Sequence, residues 1–325
     1  MTLPRRTLLR LAAGAAALPL MARVAGAQAY PSRQLRWIVG FPPGGGADTV
    51  TRIMAPWLSE RLGQQVVIEN RPGASSSLAA QAVAGSPPDG YTLLFLGASA
   101  LVHGILSENL PFNLQRDIAP VSGLIEFPMV MIAHPSVPAK TIAELIAYAK
   151  ANPRKVTMAS FGTGSASHLA GELFKMMAGV DLVHVPYRGG APMMTDLVGG
   201  QVQVGIDVMV TALPQIRAGK LRAIAVTGAK RFELLPDVPT IAETVPGYEA
   251  ATWGGVGAPR GTPPEIIARL NRDINAGLAN PGIRARLLEL GTLPMIATAA
   301  EFGAYVSAEA EKWTKVVKTA GIKPE

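Results

Sequence analysis

The chain has 325 residues, 49% hydrophobic and 16% charged, with 34 Gly, 27 Pro and no Cys. That apolar content excludes wholesale disorder, and the length implies roughly two domains. Without Cys there is no disulfide framework, cysteine metal cluster or thiol nucleophile, and the formal charge of +7 must be corrected for the N-terminus before it is read as a sign of acidic partners.

Residues 1–29 read as an export signal. Arg5 and Arg6 give a basic start, 8–20 is almost wholly apolar yet too short to span a bilayer, and Ala27-Gln28-Ala29 is a small-x-small cleavage site. The Arg5-Arg6 pair before Thr7-Leu8-Leu9 fits a twin-arginine (Tat) signal as well as a general secretory (Sec) one. Cleavage removes Arg5, Arg6, Arg10 and Arg23 and no acid, which leaves the mature chain at +3. No basic run and no basic–aromatic interleaving survive, so nucleic acid is not an expected partner. No other stretch reaches 18 uninterrupted apolar residues, so the mature chain is expected to be soluble, in the periplasm.

Short apolar runs rich in β-branched residues predict strands at 35–41, 65–69, 91–96, 129–133, 155–160, 182–185, 202–207 and 221–227. They read as buried runs, as parallel strands covered on both faces do. Helices fall between them. Thr141…Glu144, Thr240…Glu243, Thr262…Glu265 and Thr298…Glu301 have the capping-box spacing, with Pro263 expected at the first helical position of the third. The last 60 residues read as mainly helical, broken at Asn280-Pro281-Gly282 and Gly291. The alternation is that of an α/β protein. With no long linker, two domains would be joined by short strands, for which 127–133 and 251–257 are the candidates.

Two strand–turn–helix units echo each other. The strand through Val39-Gly40-Phe41 runs into Pro42-Pro43-Gly44-Gly45-Gly46-Ala47-Asp48 and a helix with Val50, Ile53, Met54, Trp57 and Leu58 on one face. The strand ending at Phe161 runs into Gly162-Thr163-Gly164-Ser165-Ala166-Ser167-His168 and a helix with Leu169, Leu173, Met176 and Met177 on one face. A helix start leaves amides unpartnered and partially positive, and glycines let an oxygen-rich ligand approach them. Such a turn binds an anion without Lys or Arg. Asp48 either caps its own helix or meets a ligand, and Thr163 and Ser165 carry the same two readings. The first turn lacks the Lys of a P-loop; the second has Ser167 where a dinucleotide fingerprint has its last Gly.

Residues for chemistry are sparse. His103, His134, His168 and His184 form no two-His zinc motif, and His168 with Glu172 is a single helical pair. Gly73-Ala74-Ser75-Ser76-Ser77 is no nucleophile elbow, only a loop or helix start. No acid/base carboxylate pair stands out. No enzyme, metal or cofactor is predicted.

The segments 38–48, 67–74 and 89–93, together with Gly162-Thr163-Gly164-Ser165 and His168, Val185-Pro186-Tyr187-Arg188-Gly189-Gly190, Gly200-Gln201-Val202-Gln203, 216–222 and 235–240, resemble in matching order the Bug-type extracytoplasmic solute receptors. These are the substrate-binding components of tripartite tricarboxylate transporters. The resemblance implies a type II periplasmic-binding-protein fold: two α/β domains joined by two crossing strands, with the ligand cleft between them. It places 30–127 plus 252–325 in domain 1 and 128–251 in domain 2. It implies a small carboxylate ligand (a di- or tricarboxylate, a carboxylic amino acid or an aromatic acid), a monomeric receptor and two membrane subunits as partners. Carried over to this chain, the ligand contacts are Phe41, Gly44, Gly46, Asp48 and the 97–99 strand end with Ser99 on one side, and Thr163, Gly164, Ser165, His168, Tyr187 and Asp207 on the other. Ile206 departs from the pattern, which carries an aromatic before the Asp. Tyr187 and His168 have packing alternatives, Arg188 either pairs with a ligand carboxylate or braces its loop, and Arg71 most simply holds a turn. An exported hydrolase using a His, or a receptor that presents its ligand to a membrane kinase, stand as the alternative functions.

Overall fold

The computed structural model describes residues 30–106 and 111–320, so the export-signal reading of 1–29 lies outside the described residues. Two sheets organise the chain. The first is built from β1 (Leu35–Val39), β2 (Val66–Asn70), β3 (Thr92–Gly97), β4 (Ile118–Phe127), β10 (Thr252–Pro259) and β11 (Leu293–Pro294), in the order β11-β4-β10-β3-β1-β2. The second holds β5 (Met129–Ala133), β6 (Thr157–Ser160), β7 (Val183–Pro186), β8 (Val204–Val208) and β9 (Arg222–Val226), in the order β7-β6-β8-β5-β9. Apart from the short edge strand β11, both sheets share one plan. Three parallel strands lie side by side (β2, β1 and β3 in one sheet, β7, β6 and β8 in the other), and next to β3 and β8 comes a strand of opposite direction, β10 from late in the chain and β5 from just before β6.

That inserted strand corrects the all-parallel expectation. β10 runs antiparallel to both β3 and β4, and β5 runs antiparallel to both β8 and β9. Each predicted strand segment forms a strand; the connecting pieces expected at 127–133 and 251–257 fall on β5 and β10, and β4 has no counterpart among the predicted strands beyond its last residue. β10 carries Gly254, Gly255 and Gly257 and shifts register twice against β4. The glycines admit aromatic rings onto the strand. A Cβ at Gly254 would lie 2.3 Å from Phe95 Cζ, and one at Gly255 would lie 2.1 Å from Phe302 Cζ and 2.7 Å from the Ser122 carbonyl oxygen.

The crossings between the sheets run side by side. β4 passes into β5 through Pro128. Past β9, Thr227 donates its amide to the Met129 carbonyl (3.0 Å) and its hydroxyl to the Ala250 carbonyl (2.7 Å), while the Ala250 amide donates back to Thr227 (2.9 Å). A cluster of Val102, Leu106, Leu169, Trp313 and Val317, separate from the main core, packs α3 (Ala98–Leu106) and α11 (Ala299–Ala320), beside the first sheet, onto α6 (Ala166–Ala178), beside the second.

The helix starts follow their capping signals with two departures. Thr240 and Glu243 close a full capping box, and Thr298 and Glu301 exchange the same pair of bonds. At α5 (Ile142–Ala151) Thr141 caps the Glu144 amide, but Glu144 accepts from Lys140 instead of closing the box. Thr262 caps nothing, because its hydroxyl donates to the Pro259 carbonyl; α9 (Pro264–Ala279) begins one residue later than expected, with Pro263 as its N-cap. Asn280 ends α9 and caps α10 (Pro281–Glu289). On α6 Leu169 is buried and Leu173 and Met177 pack against the core as the predicted face has it, while Met176 is exposed and Phe174 is buried in addition.

Gly255→Ala is expected to cost about 1–3 kcal/mol by overpacking, because one of the groups it meets is backbone that cannot swing aside. Denaturant unfolding of the variant beside the parent chain measures this, and an unchanged midpoint contradicts the packing described.

Candidate functional site

The β1 turn is shaped from beneath by Asp48. Gly44 has φ +81°, a conformation that favours glycine, and its amide donates to Asp48 Oδ2 (2.9 Å). Arg52 Nε donates to the same oxygen (2.8 Å), and Asn70 Nδ2 donates to Asp48 Oδ1 and to the Phe41 carbonyl (2.9 Å each). Burial alone would raise the Asp48 pKa, but hydrogen bonds from Arg52, Gly44 and Asn70 and the Arg52 charge hold it below the ordinary carboxylate value. Asp48 is thus an anion with both oxygens committed. It fixes the turn that opens α1 (Gly46–Leu62), a helix whose N-cap Gly45 supplies no side-chain cap.

The β6 turn is braced differently. Gly162 and Gly164 take φ of +142° and +71°. Ser165 is fully buried and its hydroxyl caps α6 by accepting from the His168 amide (3.2 Å). His168 Nδ1 accepts from the Gly164 amide (3.1 Å), and its ring stacks on His184 at 4.0 Å between centroids and 14° between planes. His184 Nε2 in turn meets Ser160 Oγ at 2.7 Å.

Between the sheets lie two chambers that share Phe41 and Phe161, whose rings meet edge to face at 6.2 Å and 86°. The larger, about 360 Å³, brings in Thr163, Gly164 and Tyr187 from the second-sheet side. The Tyr187 hydroxyl donates to Asp196 (2.7 Å), and burial, then that carboxylate, pushes its pKa up to about 12. The smaller, about 50 Å³, is lined by Gly46 and Ser99 from one side and Asp207 from the other, with Phe95, Phe127 and Trp253 as apolar walls. Gly44, Asp48, Ser165 and His168 line neither chamber. Their polar atoms are spent on shaping the turns, as the capping and packing readings of Asp48, Ser165 and His168 had it. Arg71 is bound to Glu69 and holds its turn.

Several lining residues carried no signal in sequence. Phe161, His103 and Leu106 line the larger chamber, and so does the segment Ala74-Ser75-Ser76, which reads in sequence as a loop or helix start. Those three residues have φ of +45°, +49° and +77° without being glycine. Ser75 Oγ donates to the Thr163 carbonyl and so ties the first-sheet side to the second-sheet side. Only the Ser run after Pro72-Gly73 hinted at anything, and it looked like any helix start.

The electrostatics of the smaller chamber come from backbone. Gly46, Gly190 and Val208 stand at the starts of α1, α7 (Gly190–Val198) and α8 (Met209–Arg217), and none of these helices has a side-chain N-cap. Three helix starts without side-chain caps therefore border one small space, although at α8 the Met209 amide already donates to the Pro128 carbonyl (2.8 Å). Asp207 is the charged side chain that faces them. It is fully buried, accepts from the Val208 amide (2.8 Å) and the Thr211 hydroxyl (2.6 Å), and has its pKa pushed up to about 7 by burial, against the lowering effect of those two bonds.

This raised pKa links Asp207 to stability. Between about pH 4 and pH 7 the folded chain holds a proton that the unfolded chain has released, so at this site stability falls as pH rises through that window. Asp207→Asn cannot titrate. The melting temperature of the variant relative to the parent chain is expected to climb from pH 4 to pH 7, and a difference that stays flat over that range contradicts the assignment.

A family model described as tripartite tricarboxylate transporter family receptor matches residues 50–322. Protein BugT of Bordetella pertussis is 39% identical over 300 residues, covering 91% of this chain and 92% of that protein. An R. palustris protein solved with adipate superposes with a TM-score of 0.89 at 40% identity, over 91% of this chain and all of that one. MatC from Rhodopseudomonas palustris with bound malate gives 0.85 at 34% identity, over 89% of this chain and all of that one. The two sheets with their inserted strands are those of the periplasmic-binding-protein fold that these relatives share. The chain therefore belongs to the Bug-type receptors of tripartite tricarboxylate transporters, a family of substrate-binding proteins.

Proposed function

We propose that the protein is a periplasmic solute receptor that captures a small carboxylate between two lobes, 30–127 plus 252–325 and 128–251, and delivers it as a monomer to the membrane subunits of a tripartite tricarboxylate transporter. The observation that carries this reading is the convergence of three uncapped helix starts on the smaller chamber. Amides aimed into a buried space hold a carboxylate without a fixed cation, and they release it when the lobes part. The relatives solved with adipate and malate support the same ligand class. The proposed contacts are Phe41, Gly46, Ser99 and Asp207 with Thr163, Gly164 and Tyr187, while Gly44, Asp48, Ser165 and His168 hold the turns in shape. Binding without turnover fits His168, on which a hydrolase would rest: its Nδ1 is spent on a backbone amide and its ring is stacked. The export reading of 1–29 supports the periplasmic location.

Closure brings Gly46 against the other lobe, where a Cβ would lie 2.8 Å from both Val208 Cγ2 and Val210 Cγ1. Calorimetry and thermal melting of the mature chain with citrate, malate, adipate, glutamate and benzoate test the reading. At 100-fold excess over Kd a ligand adds about 2.7 kcal/mol of stability, which raises the melting temperature by several degrees. Gly46→Ala is expected to weaken the bound acid about tenfold, ~1.4 kcal/mol, by wedging the closed cleft. No heat and no melting shift with any carboxylate, from protein that also carries no ligand when purified, overturns the receptor reading.

A further inference from the structure

Among the described residues, one apolar cluster stands apart from the main core and spans the two sides of the cleft. Val102 and Leu106 of α3 and Trp313 and Val317 of α11 come from the first-sheet side, and Leu169 of α6 comes from the second. Leu169 is fully buried and Trp313 is 1% exposed. The neighbours of Leu169 on its own helix, Ala166, Ala170 and Phe174, belong to the main core, whereas Leu169 packs in this cluster. Its cover is therefore supplied by the opposite side, and parting the lobes would strip it.

The first-sheet side of the cluster is set in place by its own bonds. On α3, His103 meets Ser77 Oγ (2.9 Å) at the start of α2 (Ser77–Ala84). On α11, Glu309 Oε2 accepts from the indoles of Trp313 (3.0 Å) and Trp253 (3.2 Å), and Trp253 is a wall of the smaller chamber. The Trp313 ring is thus a fixed apolar surface for Leu169 to close onto. The cluster also borders the cleft: Leu106 lines the larger chamber, and a Cβ on Gly164, in the facing turn, would lie 3.2 Å from Leu106 Cδ1. Of its members only Leu106 lines either chamber.

We propose that Leu169, closing onto Val102, Trp313 and Val317, is a latch outside the ligand chambers that keeps part of the molecules closed with or without cargo. A ligand that binds only the closed form has its apparent affinity reduced by the closed fraction. The latch therefore sets how tightly every carboxylate is held without choosing among them. For its ligand this assignment rests on the receptor reading above; for the closed form itself it does not. Leu169 and Trp313 are positioning residues that touch no cargo.

Leu169→Ala and Val317→Ala, from the two sides of the cluster, test the latch on the mature chain. Calorimetry with citrate, malate, adipate, glutamate and benzoate is expected to show every acid that binds the parent chain weakened by one shared factor, about tenfold for Leu169→Ala and less for Val317→Ala, with the order of preference unchanged. Small-angle X-ray scattering of the ligand-free variants, shown to be folded by circular dichroism, is expected to give a larger radius of gyration than the parent chain. In chains labelled with 5-fluorotryptophan, the Trp313 fluorine resonance, identified by its loss in Trp313→Phe, should shift in Leu169→Ala, while that of Trp37, fully buried in the first sheet, stays in place. An unchanged radius of gyration or an unmoved Trp313 resonance overturns the latch and leaves the receptor reading standing, as do variants that weaken some acids and spare others. If no acid of the panel binds the parent chain, the receptor reading falls, and the scattering and the Trp313 resonance of the ligand-free chains still decide the latch.

Discussion

Three helices begin at one small space without side-chain caps, and much of the remaining architecture serves to bring them there. An open helix start carries partial positive charge, and its amides lose water when buried. α1 arrives from the first sheet, α7 and α8 from the second, so no single sheet completes the arrangement. The repeated sheet plan accounts for the meeting. In each sheet the three leading parallel strands run in one direction and deliver helix starts at one end, and each inserted strand, running the other way, joins its sheet to the crossing segments. An α/β sheet presents its ligand sites at the carboxyl ends of its strands, and here two such ends face each other.

The means of holding the two sides together are light. Ser75 donates to the Thr163 carbonyl, Gly46 lies against Val208 and Val210, and a small apolar cluster joins Leu169 to α3 and α11. The main core also runs on from one sheet to the other, through Phe127, Met129, Phe161 and Val208. Antiparallel crossings at Pro128 and Ala250, stitched by Thr227, connect the two sheets. A receptor that must release its cargo needs contacts of this strength, since a closed state favoured by many kcal/mol would not reopen.

How far sequence reading reached follows from what each residue type announces. The two glycine-rich turns were legible because positive φ at Gly44, Gly162 and Gly164 favours a residue type that can be seen in the text. The strands were legible from their β-branched runs, whereas β10 was legible only in part, because Gly254, Gly255 and Gly257 admit Phe95 and Phe302 at the expense of strand pattern. Asp48 could be placed near the site but not given a role; that depended on Asn70, on another strand. Ala74-Ser75-Ser76 was illegible, since a left-handed conformation in Ser leaves no mark in composition and is imposed by contacts with Gly40 and Thr163. The Phe41–Phe161 pair was closed to inspection for the same reason, lying 120 residues apart.

Asp207 at first looks misplaced, a carboxylate among helix starts that attract carboxylates. Its position is sensible once the empty state is considered. Without cargo the chamber would bury open amides with nothing opposite them, and Asp207 accepts from the Val208 amide at the start of α8 while Thr211 donates to its other oxygen. Its pKa of about 7 means that it bears charge for part of the population near neutrality. An arriving anion raises that pKa further, because like charges at close range cannot both stay ionised. Within the protein itself, Asp207 is the acceptor that meets the start of α8. A fixed Arg or Lys in that space would have held the cargo more tightly, but it would have had no neutral state in which to let it go.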